Sequence, residues 1–510
     1  MIRLDLRKII EEKVVLSMYN SILQFIQNDI KEIEIIVKEI LDGEKDTADL
    51  SQEVHKRVLN LGCRLVSEIY EQIDEEIFKS LVRKNRYYVE QKDMPRSLVD
   101  VMGTLSFKRR GYVPKNGGEY IYLLDLIMGF DDNQKITMAA AAKVLEETVE
   151  TSYAKGGREV NLTDQISKEA VKDIVHGLTV EMPLKEPAEK KQLKQLHIVA
   201  DEDHVAAQFW DKKGDLKISS AGNKINTIID KIIVVFEDVI DEAPEGASYH
   251  RYKLVGKHTF CGVYKGSENN YKLWQEVQDY ISANYDLDVL ERVYISGDGA
   301  PWIKAGAEII VNSRFVLDKF HMMKYLDRSV SHLEDEDEMK AYIWKCLNEA
   351  RKDDLKDIYK DMLRVTKEGR PEKYDDVKET LQYFLNNWDG IEIRYDESGH
   401  VWKCCAEGQV SHVLSDRVSS RPMGWSTLGC DNISKLRAYT RNGGKIIDLL
   451  RYQEKHQALQ AKRREQDELI ADIKRRQDGW DYAEILNTHV LGTEKPKMKW
   501  LRDIIDQKLA

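Results

Sequence analysis

Apolar residues in the first 90 positions fall at helical spacing: Ile9, Ile10, Val14 and Leu16, then Leu23, Ile26, Ile30, Ile33 and Ile36, with charged residues between them. A period near 3.6 predicts several amphipathic helices over residues 1–95, whose apolar faces are covered by one another or by a second copy of the chain. From Arg96 the period shifts. The stretch SLVDVMGTLSFKRRGYVPKNGGEYIYLL alternates in places and holds Gly117 and Gly118, which predicts a β-ribbon turning at that pair. Helical spacing returns over residues 137–153 and 167–178, the second opened by Ser167 as a cap, and the prolines and lysines of residues 183–195 read as a linker.

Beyond the linker, short runs of strand-forming residues occur at 196–199, 231–236 and 252–264. A helix pattern over 271–285 follows, with Leu273, Val277 and Ile281 on one face, then strand candidates at 293–296 and 314–317 and a helix around Phe320, Met323 and Tyr325. Three of these strands end in acids. The first runs into Ala200-Asp201-Glu202-Asp203, the fourth stops at Gly297-Asp298-Gly299, where glycines let the chain turn around one carboxylate, and the fifth stops at Asp318.

Three strands, a helix, a strand, then a strand and a helix is the order of a ribonuclease-H-like fold, and α/β sheets build their sites at the carboxyl ends of strands. The fold class is therefore read as α/β, a ribonuclease-H-like catalytic core in two parts, residues 191–330 and 396–445. A helical insertion over 331–395 splits it. Mainly helical regions flank it: 1–95, suited to oligomerisation, and a basic segment over 446–510. Between the first of these and the core, residues 96–190 read as a β-ribbon and a helix-turn-helix-like DNA-binding region. After the insertion, Glu407 opens a helix that buries Val410, Val413 and Leu414 and ends by Pro422 and Gly424.

Composition narrows the class. With 510 residues, 42% of them apolar and 33% charged, the chain is globular and long enough for several cores. No window approaches 18 uninterrupted apolar residues and the start, MIRLDLRKIIEEK, lacks a signal-peptide core, so a soluble cytoplasmic protein without membrane contact is expected. Six cysteines without CxxC spacing (Cys63, Cys261, Cys346, Cys404, Cys405, Cys430) read as reduced thiols. A net charge of −11 argues against simple coating of nucleic acid, so clusters matter more than the sum. One cluster is Lys108, Arg109, Arg110 and Lys115 beside Tyr112, a face for nucleic acid or merely a solvated hairpin. A denser one begins at Lys435 and includes Arg437, Arg441, Lys445, Arg451, Lys455, Lys462, Arg463, Arg464, Lys474, Arg475 and Arg476.

Asp201, Asp298 and Glu407 lie 97 and 109 residues apart, so only the fold can unite them. Carboxylates gathered at one sheet edge repel one another, and hard oxygen donors suit Mg²⁺ or Mn²⁺; two such ions about 4 Å apart serve phosphoryl transfer. Five ordered motifs then carry a resemblance: ADEDHVA from Ala200, GDGAPWIK from Gly297, LDKFHMMKYL from Leu317, YFLNNWDGI from Tyr383 and AEGQVSHVLSDRVSSRPMGWS from Ala406. From about Arg96 to Arg441 the chain resembles the transposases of the ISLre group of bacterial insertion sequences, which are similar to the Mutator-like branch of DDE transposases.

The resemblance implies a DDE triad on Asp201, Asp298 and Glu407, all three as catalytic metal ligands for two Mg²⁺ or Mn²⁺ ions. It also implies DNA partners (element ends and target), a homodimer or larger assembly, and no nucleotide cofactor. Asp203 is the alternative first acid, and Asp318 is a supporting ligand or a helix cap. His204, His321 and His412 either orient ligands or make structural bonds. Arg417 and Arg421 are candidates for holding a phosphate, and Trp302 and Trp425 for stacking on bases or filling the core.

Overall fold

The computed structural model describes residues 20–181, 187–208, 218, 226–401, 406–421 and 423–456. Those up to Leu449 fall in one compact unit and those from Leu450 on in another; of the second, residues 450–456 are helical. Among the described residues no helix is long and apolar enough to cross a membrane.

Near the N-terminus, helix α1 (Ile30–Leu41) precedes the 33-residue α2 (Thr47–Lys79). Asp46 caps α2 by accepting from the amides of Ala48 and Asp49, and Asp49 returns the bond to the Asp46 amide. Helix α2 lies along a two-stranded antiparallel ribbon, β1 (Tyr87–Asp100) and β2 (Gly103–Pro114), with Ile77, Tyr87, Leu98, Phe107 and Tyr112 buried between them.

The ribbon turns at residues 101 and 102 rather than at the glycine pair. Gly103, at φ +140°, takes the backbone conformation that the turn needs and a β-carbon would tolerate poorly. Gly117 and Gly118 follow β2 and fold the chain back so that Ile121 pairs with Tyr112. Nor is the basic face open: Arg109 and Arg96 both pair with buried Asp125, and Arg110 pairs with Asp74 at 2.7 Å. Burial holds the guanidinium pKa of Arg96 and Arg109 below its usual value.

Helices α3 (Met138–Glu150) and α4 (Lys168–His176) form where their spacing placed them, capped by Thr137 and Ser167. They are fastened to the C-terminal part of the core. Asn432 donates to the carbonyls of Val175 and Leu178 at 2.8 and 3.2 Å, and buried Arg437 donates to the Val149 carbonyl at 2.8 Å and the Glu150 carboxylate at 2.7 Å. Arg437, counted from its neighbours in the sequence as part of a nucleic-acid face, is therefore a fully buried tie between helices. The cations from Lys462 on lie outside the described residues.

The central sheet has five strands in the order β7-β4-β3-β8-β9. Strand β3 (Gln195–Ala206) runs antiparallel to β4 (Thr227–Phe236), which runs antiparallel to β7 (His258–Gly262). On its other side β3 is parallel to β8 (Arg292–Gly297), itself parallel to β9 (Ser313–Leu317). Residues 252–264 are not one strand: Gly256, at φ +60°, breaks them, sending β6 (Tyr252–Val255) to pair with β5 (Asp238–Asp241) in a small ribbon. Helix α5 (Gly266–Asn284) buries Leu273, Trp274, Val277 and Ile281 on one face of the sheet.

Helix α6 (Lys319–Val330) leaves β9 and leads into four more: α7 (Glu336–Asn348), α8 (Lys352–Gly369), α9 (Tyr374–Asn386) and α10 (Trp388–Asp396). They share one apolar core with α6 and Leu317, so the insertion is built onto the sheet edge. Gly390 lets α10 press on β9, where a β-carbon would come 2.9 Å from the Leu317 amide nitrogen. Helix α11 is composite, Ala406–Gln409 and Asp416–Val418 flanking a π-helical Val410–Ser415, and it buries Val410, Val413 and Leu414 as the sequence implied. Helix α12 (Thr427–Arg441) packs on β7 and β4. The described cysteines Cys63, Cys261, Cys346 and Cys430 are buried and unpaired; Cys404 and Cys405 lie outside the described residues.

Candidate active site

Parallel pairing sets the site. The last paired residues are Val199 with Ser296 and Gly297 with Leu317, so the same register carried onward puts Asp201, Asp298 and Asp318 in one row. Strands in such a sheet are about 4.8 Å apart, close enough for neighbouring carboxylates to feel each other strongly.

Each acid is held differently. Asp298 sits in a turn that Gly299 permits at φ +90°, its Oδ1 accepting from the Ala300 amide at 2.8 Å. Asp318 is buried, caps α6 by accepting from the Phe320 amide at 2.9 Å, and meets His321 Nδ1 at 3.0 Å. The cap role is thus real, though the residue also stands in the row. Asp201 is 7% exposed and its Oδ1 accepts from the Glu202 amide at 2.9 Å. Burial, and behind it the negative charges of Asp298 and Glu407, push its carboxyl up to about 6 against that amide bond and His321. Glu407 stands exposed at the start of α11, with its charge reaching Asp201 from the helix side.

His321 lies against the same acids. Burial alone would lower its pKa, but the Asp318 bond and the charges of Asp201, Asp318 and Asp298 outweigh it and raise the value. Among the described residues no group of three His, Cys, Asp or Glu side chains forms a closed metal cage. The fold offers an all-oxygen donor set in mutual electrostatic reach. That suits Mg²⁺, which keeps several waters and takes one or two carboxylates plus substrate phosphates.

The sign of the Asp201 shift makes a testable statement. A carboxyl raised from its ordinary 3.8 to about 6 binds its proton more tightly folded than unfolded. Its effect on stability is harmless below pH ~4 and grows into a cost as pH rises through 6, reaching about 3 kcal/mol. In metal-free protein Asp201→Asn should therefore stabilise the fold at pH 8, with the gain vanishing near pH 4. Urea unfolding at the two pH values checks this, and an equal gain at both would contradict it.

Other expected site residues divide. Asp203 accepts from Ser415 Oγ at 3.0 Å and Ser419 Oγ at 2.7 Å, tying α11 to β3. His204 and His412 are exposed, 3.6 Å from Glu202 and 3.7 Å from Asp416. Arg417 cannot face a phosphate: it is 1% exposed, donates to the Thr148 carbonyl at 3.1 Å, and burial pushes it down to about 10. Arg421 is exposed. Trp302 and Trp425 belong to the core, their indole nitrogens donating to Glu202 and to the Val418 carbonyl, both at 2.9 Å. Sequence reasoning missed Tyr383 and Asn387, which grip the Asp298 turn; the signal was the motif YFLNNWDGI, noticed there without a role. Tyr383 donates from its hydroxyl to the Asp298 carbonyl at 2.8 Å.

Comparison with known proteins places the chain. Residues 43–456 match the family described as "Uncharacterised protein family (UPF0236)". The chain belongs to the UPF0236 family. Two UPF0236 proteins of Caldanaerobacter subterraneus subsp. tengcongensis are each 32% identical to it, over 428 and 433 residues, covering 84% of this chain and 85% and 86% of theirs. The first carries eleven locus labels of that genome in its name. A solved Drosophila P element transposase strand transfer complex is 10% identical, covering 56% of this chain and 70% of that one, with a TM-score of 0.17, too low to support any UPF0236 assignment.

Proposed function

We propose that this protein is a DDE-type DNA transposase of an insertion sequence, with a ribonuclease-H-like core, cutting element ends and joining the freed 3′-hydroxyls to target DNA. The observation that carries this reading is the row of strand-end acids, Asp201 beside Asp298, with the charge of Glu407 reaching Asp201 from α11. Strand order and direction support it, since three antiparallel strands continued by two parallel ones is the arrangement expected of that core. A relative named for eleven loci of one genome fits a gene that copies itself.

Asp201, Asp298 and Glu407 would hold the divalent ions. Bound there, these would lower the pKa of the attacking water or 3′-hydroxyl and neutralise charge on the leaving oxygen. The chain's part is to keep the acids desolvated and fixed. Asp203 is engaged by Ser415 and Ser419, which favours Asp201 as the first acid and anchors the helix that brings Glu407. His321 offsets the negative charge from the far side of the row.

The test is product analysis: purified protein, Mg²⁺ or Mn²⁺, and DNA carrying the gene's native flanks. Metal-dependent end cleavage with joined molecules is expected. Trimmed ends without joining would indicate a nuclease, and binding without chemistry an idle DNA-binding protein.

A further inference from the structure

We infer that Asn387, brought by the helical insertion, is part of the acid site, its amide oxygen accepting a hydrogen bond from water on the divalent ion held by Asp201 and Asp298. The inference rests on the metal-dependent reading above. Asn387 stands between α9 and α10 and is 5% exposed. Its Nδ2 donates to the Tyr383 carbonyl at 2.8 Å, and since a carbonyl accepts only from N–H, this bond fixes which end of the amide is oxygen.

That oxygen, Oδ1, is buried without a hydrogen-bond partner. It lies against Gly299, where a β-carbon would come within 2.3 Å of it. Gly299 follows Asp298, whose carbonyl accepts from Tyr383 on α9. The same helix end therefore grips the acid-bearing turn and holds an acceptor beside it.

A buried acceptor left unmade costs roughly 1–3 kcal/mol, which an apolar residue of like size would avoid. The surrounding acids cannot supply the missing donor, because ionised carboxylates only accept. His321 already has its Nδ1 on Asp318. The donor must then arrive with a ligand, and water polarised by a cation among carboxylates is the donor this chemistry brings. Partners of bound metal that act through such outer contacts commonly change affinity about 10- to 100-fold when removed.

The test is a Mn²⁺ titration of the full-length protein without DNA, followed by electron paramagnetic resonance, beside thermal unfolding of the metal-free protein. Asn387→Leu should weaken Mn²⁺ binding about tenfold or more without lowering metal-free stability, because it deletes an unpaired acceptor. Asn387→Asp should bind Mn²⁺ more tightly than wild type, and it decides the matter should the leucine variant fold poorly. Asp298→Asn is the control and should lose Mn²⁺. If Asp298→Asn loses Mn²⁺ while Asn387→Leu binds it within twofold of wild type, or Asn387→Asp binds no better, Asn387 is removed from the site and the metal reading stands. A wild-type protein that takes up no Mn²⁺ overturns both.

Discussion

Asp298→Asn is expected to lose metal-dependent strand cleavage by about a thousandfold or more while DNA binding persists. The residue occupies the middle of the acid row, between Asp201 and Asp318, on a turn fixed by Gly299 at φ +90° and by Tyr383. An amide of the same shape keeps the bond from the Ala300 amide to Oδ1 and changes only the charge. Charge is what a divalent ion needs: its stabilisation of a phosphoryl-transfer transition state amounts to several kcal/mol, and roughly 4 kcal/mol is a thousandfold in rate. The variant should remain folded, because removing a carboxylate beside Asp201 relieves repulsion. Cleavage rate and DNA affinity measured on the same preparation check the two halves of this statement, and undiminished cleavage would take Asp298 out of the chemistry.

Asp125→Ala should destabilise the protein by about 3–5 kcal/mol, the largest folding effect expected of any substitution considered. Asp125 is 3% exposed and pairs with both Arg96, at 3.0 Å, and Arg109. Arg96 also donates to the carbonyls of Asp131 and Gln134, and Arg109 lies over the Tyr122 ring at 3.6 Å, so neither guanidinium can swing out to water when its carboxylate goes. Two buried cations would be left facing each other. Replacing all three by apolar residues of similar size should cost far less, because the penalty lies in the uncompensated charge. Urea unfolding of the two variants separates these outcomes. Equal loss in both would mean that packing, and not charge, is what Asp125 provides.

These residues also show where sequence reasoning stops. Asp201 and Asp298 were legible because each ends an apolar run, and a strand end is a local signal; Gly297-Asp298-Gly299 adds turn chemistry that few other segments mimic. Helices α3 to α6 were legible from period and caps for the same reason. The basic residues were not. Arg109, Arg417 and Arg437 read as solvated cations in a one-dimensional charge count, yet each reaches a buried acceptor on a distant segment: Asp125, Thr148 and Val149. Nothing near them in the chain announces such a partner. The ribbon turn was misplaced because two adjacent glycines are a stronger local signal than the single Gly103, whose conformation is set by how the strands close. Asn387 was invisible for a related reason, since its meaning lies in the approach of α10 to Gly299 across 88 residues of sequence.

The most direct test of the acid site is Glu407→Gln, assayed beside wild type for cleavage and joining of DNA that carries the native flanks. Glu407 is the acid that no strand register supplies, and only the packing of α11 on β3 brings its charge to Asp201. If the three acids act as one metal-holding group, the variant should bind the DNA as wild type does and yield neither metal-dependent cleavage nor joined products. Cleavage and joining at the wild-type rate would contradict the account, and the third acid would have to be sought elsewhere.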